Sequence, residues 1–417
     1  VLYDGERCPG YRLLKVRTSL KESRGRRSNC VEEKGLSQCY FETPFETNQI
    51  FLKNYERPQS DPISYNLISD STSDKLLPDK LFDIGCVGTE VYVRRSREDF
   101  YFSDGDDDEG ESKVLPDKIP PQADRMELLN GALRNSFQTI RVEKVRSFSE
   151  PFVRLTVLPS KDFALHRKTE LTFDTDTSCT FVDEVRDSKG MDEAGGFMTD
   201  MVQARLEPGS DVNFVSLQSG RSQIAVNYRF ELSSGSRLRF VGWTGGNPYL
   251  RSRITVTLQG DGSEASVFTG NFADKGARHD MLATVEHFGR NSIGLVIQNG
   301  VVRAASRLLL KGMMIIRKPA KGSDSHLKQH ALLLSSDSFA NAIPGLEIET
   351  NELKAKHAAS VSQPEEEQLF YLMSRGLNGK QAVTTIAFGN LGILLSNIAD
   401  NNMRDELADE IMETLLA

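Results

Sequence analysis

Residues 253–265, RITVTLQGDGSEA, set the reading of the chain: Ile254, Val256 and Leu258 alternate with Arg253, Thr255 and Thr257 before Gly260-Asp261-Gly262 breaks the run. A period of two that stops at a glycine-rich break is a strand with one buried face, followed by a turn. Residues 224–230 (IAVNYRF), 238–243 and 294–297 have the same texture, and Ser234-Gly235 and Asn299-Gly300 read as further turns. From about Phe152 to Leu353 there is no long helical periodicity. Many short strands without intervening helices mean a sandwich, a barrel or a β-solenoid, and periodicity alone does not choose among them.

Outward from this β-rich stretch the pattern changes on both sides. Residues 1–125 read as a divergent region, largely loop or disordered. Arg24-Gly25-Arg26-Arg27 and the Pro/Ser/Asp-rich run from 57 to 75 lead to an acidic tract of Asp104, Asp106, Asp107, Asp108, Glu109 and Glu111. The tract is not a calcium loop. Counted from Asp104, the required glycine is Glu109 and the closing glutamate is Leu115. Residues 81–93 have strand character, and 125–142 have room for a short helix. The β-rich core is assigned to 126–361 and a helical domain to 362–417. Ser362 with Glu365 reads as a capping box, with Pro364 in the first turn, an apolar face of Leu369, Phe370, Leu372 and Met373, and a stop at Gly376. A second helix carries Val383, Ile386, Ala387, Leu391, Leu394, Leu395 and Ile398. A third carries Met403, Leu407, Ile411 and Leu415. These stripes hold more apolar positions than capping one end of a β-rich core requires, so they either present a surface to a partner or pack against each other and the last strands.

Composition excludes several classes. The 417 residues hold 51 Lys+Arg against 59 Asp+Glu, a net charge of −8, so there is no basic footprint for nucleic acid. No stretch approaches the ~20 apolar residues that span a bilayer. The five cysteines (Cys8, Cys30, Cys39, Cys86 and Cys179) form no CxxC, and none follows Cys179. GxSxG, GxxxxGK[ST], HExxH and GxGxxG motifs are all missing, so the chain does not read as an enzyme.

Residues 354–376, KAKHAASVSQPEEEQLFYLMSRG, with the preceding LLLSSDSFANAIPGLEIETNEL, resemble the C-terminal signature of the SufB/SufD family of the SUF iron–sulfur cluster assembly system. The likeness extends back through Gly312–Ile316, Val285-Glu286-His287 and His279-Asp280 to 260–265, covering about 255–417 well and 130–255 weakly. It implies a mainly β fold, a right-handed parallel β-helix (solenoid) with a C-terminal α-helical domain. It also implies a scaffold of the SufBCD complex. A SufB-like subunit would pair through the β-helix, and a SufC-like ATPase would bind through the C-terminal helices. The iron–sulfur cluster would be transient, at the interface with SufB, and none would be bound stably by this chain alone.

His357 matches the histidine that the SufD branch uses in cluster formation, and Ala358 follows where SufB-type chains have glutamate. Imidazole is a borderline iron ligand that exchanges more readily than thiolate. Outside the resemblance, His357 reads first as a cap on the last coil, and the resemblance turns the reading toward a ligand. His330 lies near the scaffold cysteine of SufB-type members and is a second candidate. His279, Asp280 and His287 fall where the family has a His/Asp-rich stretch, although outward polar residues are the expected background. His166 and His326 carry no signal. Two rivals remain: the SufB-type principal cluster scaffold, and a β-helix polysaccharide lyase or hydrolase, for which no carboxylate cluster is evident. The non-Met start and acidic insertions suggest a plastid protein, with a cytoplasmic location as the alternative.

Overall fold

The structure is a computed structural model that describes residues 89–93, 125–134, 136–142, 151–158, 164–187 and 195–417. The acidic tract at 104–111 and Cys8, Cys30, Cys39 and Cys86 lie outside the described residues. The chain order begins β1 (Thr89–Val93), α1 (Arg125–Leu133), β2 (Ser136–Val142), β3 (Phe152–Leu158), β4 (Ala164–Phe173), β5 (Ser178–Asp187) and β6 (Phe197–Leu206). It continues β7 (Asp211–Ser219), β8 (Gln223–Leu232), β9 (Arg237–Gly245), β10 (Tyr249–Leu258), β11 (Glu264–Ala273) and β12 (Arg278–His287). The last strands are β13 (Ile293–Val302), β14 (Arg307–Ile316), β15 (Ser323–Leu333), β16 (Phe339–Ile348) and β17 (Leu353–Ser362). Three helices close the chain: α2 (Glu366–Ser374), α3 (Gly379–Leu391) and α4 (Asn401–Leu416).

Odd strands form one 9-stranded sheet and even strands an 8-stranded one, each in chain order. Every neighbouring pair is parallel except β1 with β3. The chain therefore winds from one sheet to the other and back, which is the expected parallel β-solenoid. Each coil buries its inward row against the coils on either side. In β8 those inward residues are Ile224, Val226, Tyr228, Phe230 and Leu232, each 0–2% exposed.

One corner repeats along the solenoid. Asp176, Gly209, Gly235, Gly262, Asn291 and Gly322 all have positive φ, between 52° and 77°. Each is followed by a buried Thr or Ser: Thr177, Ser210, Ser236, Ser263, Ser292 and Ser323. The hydroxyls of Ser210, Ser236 and Ser263 donate to the carbonyl three residues back at 2.7 Å. Successive turns stack through backbone bonds such as Gly235 N–H to Asp261 O (3.0 Å) and Gly262 N–H to Arg290 O (2.8 Å). The turn at Ser234-Gly235 is thus as expected. Asn299-Gly300 is not a turn: it lies inside β13, where Asn299 donates outward to Asn390 O at 2.6 Å.

The interior holds two distinct kinds of row. Phe152, Phe181, Phe214, Phe240, Val267, Val296 and Leu327 pair in register down the odd sheet as one apolar column. Two positions further along each strand, Arg154, Asp183, Ser216, Gly242, Thr269, Gln298 and Gln329 form a polar column. Arg154 is fully buried and donates to both oxygens of Asp183 (3.0 and 2.6 Å), while Arg167 holds Asp200. Burial opposes charge here. The opposite charges outweigh it: Asp183 and Asp200 hold the Arg154 pKa above its ordinary value, and Arg154 and Arg167 hold that of Asp183 below.

The C-terminal helices pack against the flank of the solenoid. Ala387, Leu391, Leu394, Ile398, Leu407, Ile411 and Leu415 share one apolar cluster with outward residues of the odd sheet, among them Val182, Val215, Val241, Trp243 and Phe268. Gly270 permits this closeness, since a Cβ there would lie 2.4 Å from Leu394 Cδ1. Trp243 Nε1 donates to Glu410 Oε1 at 3.0 Å and Arg303 to Leu415 O at 2.9 Å. The second and third stripes expected to face a partner are therefore buried within this chain. The capping box at Ser362 and Glu365 is also absent. Ser362 ends β17, and Glu365 is an N-cap without a side-chain bond. The capping box that forms is Asn378 with Gln381, at the start of α3.

Candidate functional site

Where the solenoid ends, β16 and β17 are the last strands of their sheets, and among the described residues no further coil covers them. Every residue of β17 except Leu353 and Ala355 is exposed. His357 pairs with Leu327, and paired residues of parallel strands share a face. It therefore occupies the end of the apolar interior column, the one polar residue after seven apolar ones. At the mouth of the solenoid it presents an imidazole to solvent. Ala359 closes the neighbouring polar column beyond Gln329, and Val361, 42% exposed, closes the next.

His330 is not part of that mouth. It pairs with Ser360, three positions from His357, so the two rings lie on opposite faces of the sheet. Its Nε2 lies 3.1 Å from Ser362 Oγ, and burial, with Lys328 nearby, lowers its pKa. His326 pairs with Asp324 at 3.1 Å on the same outer face.

Of the remaining histidines, His279 and His287 are interior and satisfied, and His166 is buried beneath α1 on the outer face of the even sheet. His279 contacts Asn271 Oδ1 (3.0 Å) and Asn247 O (2.7 Å). His287 contacts the hydroxyls of Ser292 (2.8 Å) and Ser325 (3.2 Å). Burial pulls each down to about 4. His166 sits 2.9 Å from Thr199 Oγ1 and is likewise pulled down to about 4 by burial. Asp280 is clasped by Arg253 at 2.8 Å with Lys311 at 3.5 Å. Burial raises its pKa, but these cations outweigh burial and hold it well below the carboxylate range.

Among the described residues no group of three or more His, Cys, Asp or Glu could share a metal ion. The one described cysteine, Cys179, is buried on β5, and its thiol is pushed up to about 12 by burial and then by Asp211. A neutral, enclosed thiol is neither a nucleophile nor an iron ligand. The donor set at the mouth is one imidazole. It fits one position of a ligand sphere completed by another molecule and does not fit a resident cluster.

Near this end, α2 buries no residue fully: Leu369 and Leu372 are half-buried, while Phe370 is 75% exposed, Tyr371 56% and Met373 51%. Of the first expected helical face, Phe370 and Met373 are left uncovered. No helix among the described residues is long and apolar enough to cross a membrane.

Residues 156–390 match the family model described as "SUF system FeS cluster assembly, SufBD core domain". The chain is 23% identical over 285 residues to an iron–sulfur cluster assembly SufBD family protein of Staphylococcus aureus (strain USA300), covering 66% of this chain and 60% of that one. A protein of the same description from S. aureus (strain MRSA252) matches to the same extent. One from Staphylococcus saprophyticus is 23% identical over 278 residues, 65% of this chain and 58% of its own. The chain spans about three fifths of the length of these curated relatives.

Proposed function

The chain belongs to the SufBD family of the SUF iron–sulfur cluster assembly system, and from that premise we propose that it is a non-catalytic, SufD-like scaffold subunit. Its terminal coil docks a SufB-like subunit, and a nascent cluster, as cargo, forms where the two meet. The observation that carries this reading is His357 at the end of an otherwise apolar interior column, on an uncovered edge strand. An imidazole held there offers one exchangeable iron ligand while the partner supplies thiolates. The SufD-like branch rests on Ala358 beside His357 and on the lack of any cysteine after Cys179. The exposed face of α2, with Phe370, Tyr371 and Met373, is the surface offered to a SufC-like ATPase by helix-in-groove contact.

The test is co-expression with SufB-like and SufC-like subunits, capture through this chain, and anaerobic cluster assembly on the purified complex. His357→Ala should leave the unfolding midpoint and capture of both subunits unchanged and slow the initial rate of cluster assembly at least about tenfold, a rise of ~1.4 kcal/mol or more in the rate-setting barrier, with cluster yield falling accordingly. Phe370→Ser with Tyr371→Ser should release the SufC-like subunit alone. Cluster yield that survives His357→Ala refutes the ligand role, and failure to capture a SufB-like subunit refutes the scaffold reading.

A further inference from the structure

The solenoid mouth has two unpaired edges, and they differ in chemistry. The β16 edge is blunted: Pro344 lies in mid-strand without an N–H, and Glu347 and Glu349 at its end are engaged by Arg317 at 2.9 and 2.7 Å. The β17 edge has neither proline nor glycine, and its sequence, LKAKHAASVS, contains no acidic residue. Lys354 and Lys356 lie exposed on its outward row, in register with Asp324 and His326 of β15, and Lys328 follows on the same face. Asp324, the carboxylate of that row, contacts His326. Among the described residues neither Lys354 nor Lys356 is in an ion pair.

Cross-strand neighbours of like charge repel, and those of opposite charge attract. Suppose a second copy added its own β17 edge about a two-fold axis. Every register that keeps outward rows in phase would set Lys356 against Lys354, Lys356, Ala358, Ser360 or Ser362, and never against a carboxylate. Exposed edge lysines also guard against indiscriminate pairing.

We propose that β17 selects its partner by charge: it accepts an edge strand bearing Asp or Glu opposite Lys354 and Lys356, and these two lysines disfavour a second copy of this chain. The inference rests on β17 being the docking edge of the function proposed above and adds the chemistry of the strand it takes. Selection then combines a complementary partner with active rejection of self.

A charge swap within this protein tests it without a SufB-like subunit. Lys354→Glu/Lys356→Glu turns one copy into an acidic edge of unchanged shape, at exposed positions. In sedimentation velocity at about 50 mM salt, an equimolar mixture with the unaltered chain should associate at least about tenfold more tightly than either protein alone. The difference should shrink at about 500 mM salt. Lys354→Gln/Lys356→Gln should self-associate more than the unaltered chain. A mixture no tighter than its components, or neutralised edges that self-associate no better, overturns the charge selection. In the reconstituted complex, charge reversal should weaken capture of the SufB-like subunit. Undiminished capture refutes the inference, whereas absence of capture by the unaltered chain refutes the docking reading itself.

Discussion

His279 and His287, inside the solenoid, and His166, beneath α1 on the outer face of the even sheet, are 0–3% exposed and are held neutral, each pulled down from 6.5 to about 4 by burial. An unfolded chain binds a proton at each of these sites between those values and the folded chain does not, so stability rises with pH across that window. The contribution is complete above about 6.5 and lost as pH falls toward 4, with a ceiling of ~3 kcal/mol per histidine. Asp280, whose pKa is depressed against burial by Arg253 and Lys311, acts in the same direction at lower pH. Urea midpoints should therefore fall steadily from pH 7.5 to pH 4.5, and His279→Gln should flatten the slope by its share. A midpoint independent of pH over that range contradicts neutral burial. Sequence placed His279 and His287 within a family stretch, but only their partners, Asn271, Asn247, Ser292 and Ser325, identify them as structural. The converse holds for His357. The motif singled it out, yet its face was illegible, because the alanines and serines of residues 355–362 carry no apolar alternation. His330, close in sequence and chemically alike, falls on the other face by the parity of its spacing.

The corner turns show what sequence held without its being read. Asp176-Thr177, Gly209-Ser210, Gly235-Ser236, Gly262-Ser263, Asn291-Ser292 and Gly322-Ser323 recur once per coil, a repeat marked by only two residues. The first residue accepts positive φ, and the second closes the turn with its hydroxyl. At Gly262 (φ 66°) a Cβ would meet nothing within 4 Å, so substitution there probes backbone strain alone. Gly262→Ala should cost about 1 kcal/mol. Gly262→Asn should cost less, since Asn291 adopts φ 52° at the equivalent corner. Equal losses in the two variants, read from urea melts, would mean that packing sets the cost. Helix placement was legible in a similar, unread way. Phe240-Val241-Gly242-Trp243 breaks the period of two because Phe240 points inward while Val241 and Trp243 join the helices. A strand buried on both faces reads as a continuous apolar run. The stripes on α3 and α4 looked surplus to capping because their partner, the outer face of the odd sheet, is a whole flank rather than an end.

At the scale of the molecule, a solenoid is quasi-one-dimensional, so each coil is only as stable as its own packing and that of its neighbours. Coils differ sharply here. The middle of the odd sheet, around Val241, Trp243, Phe268 and Phe272, is buried from within by the core and from outside by α3 and α4. The terminal coil has neither: β17 is exposed along most of its length, and Ile348 and Val361 are 47% and 42% exposed. Opening free energy should therefore fall from the centre toward the mouth, and amide exchange should be graded along the axis. In the isolated chain, peptides covering 339–362 should exchange at least about tenfold faster than peptides covering 237–273. Trp243, the single tryptophan, supplies an independent reading, because its fluorescence reports the helix-backed centre. Its urea transition should come after the loss of protection at the mouth. Uniform protection along the axis would mean that the terminal coil is already capped, and that the exposed edge is not held open for a partner. The grading also has a functional reading. In the proposed complex, docking an edge strand on β17 would order the coil that carries His357, so the histidine would become fixed only when the second subunit is present. Adding the SufB-like subunit should then slow exchange at 339–362 and leave 237–273 unchanged, and protection gained only on the helical flank would place the contact elsewhere.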